Sequence, residues 1–248
     1  MEEEIRAYRF RLYPSKDQTI LLNQKLNLCK QLYNTLLEKC KNSYKESSIS
    51  LCSRHEMNRI INNLKTNKPE FRTVYSQSLQ DARDRVLRAF TNFFRRVKEK
   101  KKGKKIKAGF PRFKKFYKSI TYPQNNGSFE IKNGKTLHIA KVGNIPIVKH
   151  REIDGTIKTL TLKRTQSGKW HAIFTSILPK KVIIQSRPLN RTGIDVGIES
   201  FATLSNGTKI QNPRHLLNSE KKLKKLQRKL SRKKPGSKNR RKAKLKVA

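Results

Sequence analysis

A surplus of positive charge constrains this chain more than any other feature of its sequence. It carries 60 Lys and Arg against 17 Asp and Glu, a formal net charge of +43 over 248 residues. In a compact monomer that much like charge repels itself. A polyanion lying along the surface relieves the repulsion and releases its own condensed counterions. Phosphate backbones are the commonest such partner. An anionic membrane is the rival, yet no apolar run spans a bilayer and no basic amphipathic stretch carries a rich aromatic face. The opening Met1-Glu2-Glu3-Glu4 is acidic, unlike the basic start of a secretory signal. The expected location is therefore cytoplasmic and, given the charge, nucleoid-associated.

The hydrophobic fraction of 34% is low but above the level of disorder, and the apolar residues fall in periodic segments. Residues 5–13 alternate as a strand, with Tyr8, Phe10 and Leu12 on one face and Arg9 and Arg11 on the other. Pro14 ends it, and Ser15-Lys16-Asp17-Gln18 has the capping-box pattern. Leu22, Leu26, Cys29, Tyr33, Leu36 and Cys40 then predict an amphipathic helix to about residue 45. Residues 50–65 read as helical. A second long helix is predicted over 75–98, with Leu79, Ala82, Val86, Phe90, Phe93 and Val97 as its buried stripe. From 119 to 178 the period becomes two, with turn pairs at Asn126-Gly127, Asn133-Gly134, Gly143-Asn144, Asp154-Gly155 and Ser167-Gly168. Short antiparallel strands at this spacing imply a small barrel or sandwich, joined by the first strand, with the helices as an insertion. The lysine run 98–107 reads as a solvated loop or as an ordered phosphate contact.

A third region opens near Arg191. Thr192 to Ile198 reads as a strand, and residues 201–204 and 208–210 as a hairpin around Asn206-Gly207. A basic helix is expected from Leu216, and after Lys233-Lys234-Pro235-Gly236 a second one runs to the last residue, as if the chain stopped in mid-element. Three cysteines, Cys29, Cys40 and Cys52, have no zinc half-site spacing, and Cys29 and Cys40 lie on an apolar helix face, so core packing is expected. The five histidines are scattered and form no His-x-His pair, and no phosphate-binding Gly-Lys-Ser/Thr loop is present.

Asp195 is the residue to single out for chemistry. On the strand 192–198, Gly193, Asp195 and Gly197 share a face, which leaves open backbone beside a lone carboxylate where a metal ion and a phosphodiester can approach. Thr192, Ile194 and Val196 form the opposite, buryable face. The plainer reading is an Asp that accepts a turn hydrogen bond. For nucleic acid, Arg9 and Arg11 are candidates on the first strand, and Arg95, Arg96, Arg112, Lys114 and Lys115 follow. Lys224, Lys225 and Arg228 sit on a helix that is lysine-rich on most faces. Phe110, Phe113, Phe116, Tyr117 and Tyr122, interleaved with these cations, are either base-stacking groups or core.

Several motifs in register resemble the OrfB/TnpB family of insertion-sequence-encoded, RNA-guided endonucleases. They are residues 6–14 (Arg-Ala-Tyr-Arg-Phe-Arg-Leu-Tyr-Pro), 29–34, 88–96, 109–114 (Gly-Phe-Pro-Arg-Phe-Lys), 168–170, 193–198 (Gly-Ile-Asp-Val-Gly-Ile) and 224–231. The resemblance implies an α+β fold: a β-barrel wedge domain (1–14 with 108–190), a helical recognition region (15–107) inserted in it, and the N-terminal part of an RNase H/RuvC-like nuclease domain (191–248). It implies a guide RNA and double-stranded DNA as partners, and Mg²⁺ held by three carboxylates, the first of them Asp195. The family's other two carboxylates and its four-cysteine zinc ribbon have no counterpart here, so the metal is not expected to bind productively, no zinc site is expected, and this polypeptide should not cut DNA by itself. A nuclease-dead, RNA-guided repressor and a generic basic RNA-binding protein are the competing readings.

Overall fold

The alternation of the first strand is where the fold begins. In a computed structural model describing residues 3–47, 53–179 and 192–248, Glu3–Leu12 forms β1. Tyr8, Phe10 and Leu12 point into the core while Arg9 and Arg11 point outward, as a period of two requires. Pro14 cannot continue the ladder. Ser15 and Gln18 then exchange the two expected capping bonds, at 3.0 and 3.1 Å, and open α1 (Lys16–Ser47). The predicted stripe from Leu22 to Cys40 is buried throughout. Burial pushes the Cys29 thiol up to about 12, as befits a packing residue rather than a reactive one. Cys52 lies outside the described residues.

Helix α2 (Arg54–Asn67) starts on a capping box between Ser53 and Glu56. A 3₁₀ turn (Pro69–Thr73) leads into α3 (Ser76–Lys101). Its residues Leu79, Ala82, Val86 and Phe90 are buried, and Phe93 and Val97 are half-buried as the helix leaves the core. The lysine run divides: Lys98, Lys100 and Lys101 form the last turn of α3, where cations suit the carbonyl end of the helix dipole, and residues 104–118 have no regular structure.

Six further strands complete the sheet: β2 (Ser119–Tyr122), β3 (Phe129–Lys132), β4 (Thr136–Ile139), β5 (Gly143–Val148), β6 (Thr156–Arg164) and β7 (Trp170–Pro179). Their order is β2-β6-β7-β1-β5-β4-β3, with every pairing antiparallel. The sheet curls into a nearly closed barrel: its edge strands β2 and β3 are consecutive in sequence, and the Tyr122 hydroxyl donates across to the Ala140 carbonyl at 3.2 Å. The expected turns form with one change. Lys141, with φ +66°, turns the chain ahead of Gly143, which already belongs to β5. Helices and sheet share one hydrophobic core.

Residues 181–248 make a second compact unit. A three-stranded sheet runs β10-β9-β8, from β8 (Ile194–Asp195), β9 (Ser200–Leu204) and β10 (Lys209–Gln211). The helices α4 (His215–Ser231) and α5 (Lys238–Val247) follow as a hairpin. Arg240 on α5 donates to the carbonyls of Leu230 and Lys233, so a side-chain cation satisfies the end of α4. The predicted seven-residue strand at 192–198 is only two residues long. Its apolar face is not buried, because among the described residues of this unit no layer covers it: Ile194 is 64% exposed and Val196 70%.

Two positions give sharp tests of this packing. Gly155 turns at φ +76°, and a Cβ there would collide with the Ile177 carbonyl oxygen. Gly155→Ala should lower the unfolding free energy by about 2 kcal/mol or more, read from urea denaturation. Lys25 is buried against the Thr73 carbonyl, and desolvation, with Lys141 adding repulsion, pulls its ammonium from an ordinary 10.5 to about 8. The unfolded chain holds that proton more tightly, so the penalty is full below pH 8 and is relieved as pH rises toward 10.5. Lys25→Met should raise the melting temperature at pH 7, and its advantage should shrink by pH 10.

Candidate nucleic-acid interface

Strand pairing turns two isolated arginines into a charged face. Residues directly opposite in a ladder share a side of the sheet, so Arg11, His171 on β7 and Lys163 on β6 stand in one row across three strands. Arg9 stands in the next row with Ile173 and Thr161. Among the described residues neither Arg9 nor Arg11 has an acidic partner. Arg11 instead donates to the Trp170 carbonyl at 3.3 Å, with its guanidinium 5.1 Å from the Tyr13 ring centroid. Arg9 Nη2 lies 3.1 Å from His171 Nε2. A guanidinium can only donate, so Nε2 accepts and the imidazole is neutral with its proton on Nδ1. Burial, then Arg9, Arg11, Lys169 and Lys163, hold this histidine below its ordinary 6.5. The protein has concentrated like charge on this face instead of neutralising it. Such a face is chemically complementary to a phosphate chain.

Elsewhere the acids are spent on structure. Asp81 binds Arg85 at 2.8 Å and Arg88 at 3.5 Å, and Asp84 binds Arg83 at 2.8 Å. Two of the predicted site residues have similar duties. Arg95 pairs with Glu99 at 3.0 Å, and Arg96 donates to the Gly109 carbonyl at 3.3 Å. Lys114 is half-buried with its ammonium 4.7 Å from the Tyr33 ring centroid, and burial, helped by Arg85, lowers its basicity. Arg112 and Lys115 are exposed. The aromatic series splits: Tyr117 and Tyr122 are core and Phe110 packs edge-on to Phe90 and Phe93, whereas Phe113 and Phe116 face solvent.

In the second unit, Lys221, Lys224, Lys225, Arg228, Lys229 and Arg232 line an open groove of about 500 Å³ along α4. Lys224 also pairs with Glu220 at 2.7 Å. Asp195 is exposed on edge strand β8, opposite Thr203. Among the described residues no three His, Cys, Asp or Glu side chains converge on a point. The donors in hand therefore do not fit a two-Mg²⁺ centre, which needs several carboxylate oxygens. Lys163, Lys169 and His171 were not legible as site residues, because alternation gives a strand its faces but not its neighbours.

The charge around His171 makes a direct prediction. An anion seated on this face stabilises the imidazolium, so binding a short RNA should raise the His171 pKa, followed by NMR titration of the ring protons. An unchanged value would remove this face from the interface.

Residues 179–248 match the family model OrfB_IS605, described as "Probable transposase", and residues 1–48 match HTH_OrfB_IS605, a helix-turn-helix domain. Within the latter, described residues 3–47 form one strand and one unbroken helix, without the two short helices of that motif. A Streptomyces pristinaespiralis protein named for RNA-guided DNA endonuclease activity is 32% identical over 263 residues, covering 100% of this chain and 60% of that protein. InsQ of Escherichia coli strain K12, similarly named, is 27% identical over 99% of this chain and 58% of its own length. The chain thus spans about 60% of the length of these relatives. Among solved structures, the Cas12f1 chain of a complex with guide RNA and target DNA superposes loosely, with a TM-score of 0.39 and 15% identity over 93% of this chain and 62% of that one. Family models of the OrfB_IS605 type thus match both ends of the chain, and the two curated relatives match it along its whole length.

Proposed function

We propose that this transposon-family chain holds a guide RNA and double-stranded DNA and, as these 248 residues, does not cleave. By their names the two relatives act on DNA under RNA guidance. The observation that carries the reading to this chain is the outward face of the sheet, where Arg9, Arg11, Lys163 and Lys169 surround a neutral His171 without an acidic partner. Contacts of this kind position a backbone and carry no sequence information, so sequence would be read by base pairing with the guide. In this reading residues 1–14 and 108–190 form a wedge domain, 15–107 a recognition region and 191–248 part of a RuvC-like domain with Asp195 as its first carboxylate. The α4 groove would add further phosphate contacts. Lack of cleavage rests on the donor inventory around Asp195.

The purified chain should bring down one structured RNA, identified by sequencing what copurifies; a random mixture of cellular RNA would favour the generic RNA-binding reading. RNA affinity should drop at least about a hundredfold between roughly 50 and 200 mM salt, because each phosphate contact releases counterions. Arg9→Gln with Arg11→Gln should flatten that slope. Magnesium should produce no nick in a guide-matched duplex, and a nick dependent on Asp195 would overturn the non-cleaving part alone.

A further inference from the structure

Residues 104–118 connect α3 to β2 without regular structure, yet they are held at several points. The Asn34 amide on α1 clamps the backbone of Lys114 like a neighbouring strand: its Nδ2 donates to the carbonyl at 3.1 Å, and the Lys114 N–H donates to its Oδ1 at 2.8 Å. Arg96 holds the Gly109 carbonyl, Phe110 plugs into the rings of Phe90 and Phe93, and Tyr117 is buried at the far end. The strap is thus fixed on its inner side. On its outer side stand Arg112, Phe113, Lys115, Phe116 and Lys118, with Phe113 49% and Phe116 78% exposed. The Lys41 ammonium lies 5.9 Å from the Phe113 ring centroid.

Ring area left in water gains nothing for folding, whereas full burial of a phenylalanine would contribute roughly 2 kcal/mol, and most of Phe116 and half of Phe113 are left in water. Two of them three residues apart, on a clamped backbone and flanked by cations at matching intervals, are a ligand's partners rather than the protein's own. We infer that this strap is a stacking platform for unpaired nucleotides, with Phe113 and Phe116 each taking a base and Arg112, Lys115 and Lys118 following the sugar-phosphate chain. Every base has a π face, so such a site tolerates sequence. Paired bases hide those faces inside the helix, so it selects single strands. Fixing the backbone beforehand removes the ordering cost that a floppy loop would bear on binding. The inference rests on the nucleic-acid reading above and adds to it the single-strand class and two uncharged contact residues.

The test uses the full chain and end-labelled oligonucleotides of one sequence as single-stranded RNA, single-stranded DNA and duplex. Phe113→Ala with Phe116→Ala should weaken single-strand binding tenfold or more and leave duplex binding unchanged. Since neither ring carries charge, the salt slope should stay the same, whereas Arg112→Gln with Lys115→Gln should lower it by roughly 0.7 per lost contact. Melting temperature should hold for Phe116→Ala, whose ring is 78% exposed, and fall only slightly for Phe113→Ala, whose ring is half-covered. The RNA and DNA arms show whether the bound strand is guide-like or displaced DNA. As an independent readout, Phe116→Trp should place an indole whose emission is quenched by a single strand and not by an abasic strand of equal length. Normal single-strand affinity in the double alanine variant, or equal quenching by the abasic strand, overturns the platform while leaving the charged interface standing. Failure of the unaltered chain to bind any of the three overturns the nucleic-acid reading itself.

Discussion

The antiparallel ladder between β1 and β7 is the interaction from which the rest of the first unit follows. It joins residues 3–12 to residues 170–179, ten pairs in unbroken register, and β1 also bonds β5 on its other side. A strand at the N-terminus therefore occupies the middle of a sheet whose other members come more than a hundred residues later. Everything between β1 and β2 is obliged to leave the sheet and return to it. That excursion is the helical layer, and its apolar stripes have one place to go, against each other and the sheet they left. The same ladder places Arg11 beside His171 and so creates the charged outer face.

Charge is segregated in this molecule, and the segregation connects fold to function. Asp81, Asp84 and Glu99 sit on α3 and are consumed by neighbouring arginines, which tie helix to helix and helix to sheet; Arg85, for example, bridges Asp81 to the Thr121 hydroxyl of β2. The outer sheet face and the α4 groove receive few acids. Like charges gathered on one face cost free energy in the unbound protein, and they add to burial in holding His171 below its ordinary 6.5. A surface of this kind is pre-stressed for a polyanion. A polyanion is the complement that would relieve the stress.

Much of the secondary structure was legible because its causes are local. The Ser15–Gln18 box, the helical spacing from Leu22 to Cys40, and the positive-φ glycines at 127, 134, 155 and 168 all act within a few residues. The limits of that reading show at particular sites. The apolar face at Ile194 and Val196 looked buryable, and this unit leaves it uncovered, since burial depends on a partner layer that alternation cannot name. Arg96 and Lys114 read as phosphate ligands, and the structure gives Arg96 a bond to the Gly109 carbonyl and Lys114 a place against the Tyr33 ring, contacts that no cation's sequence context announces.

By itself the sequence determined the charge surplus, the change of period from helix to strand, the capped helix starts and the motifs that resemble the OrfB/TnpB family. Those are properties of composition and of neighbours along the chain. Only the tertiary structure decided that Lys163, Lys169 and His171 join Arg9 and Arg11, and that of five interleaved aromatics two stay in solvent. Both outcomes rest on contacts between segments distant in sequence. Which strand lies beside which, and the side of a strap that a single asparagine clamps, are fixed by packing across the fold, and the periodicity of one segment does not name its partner.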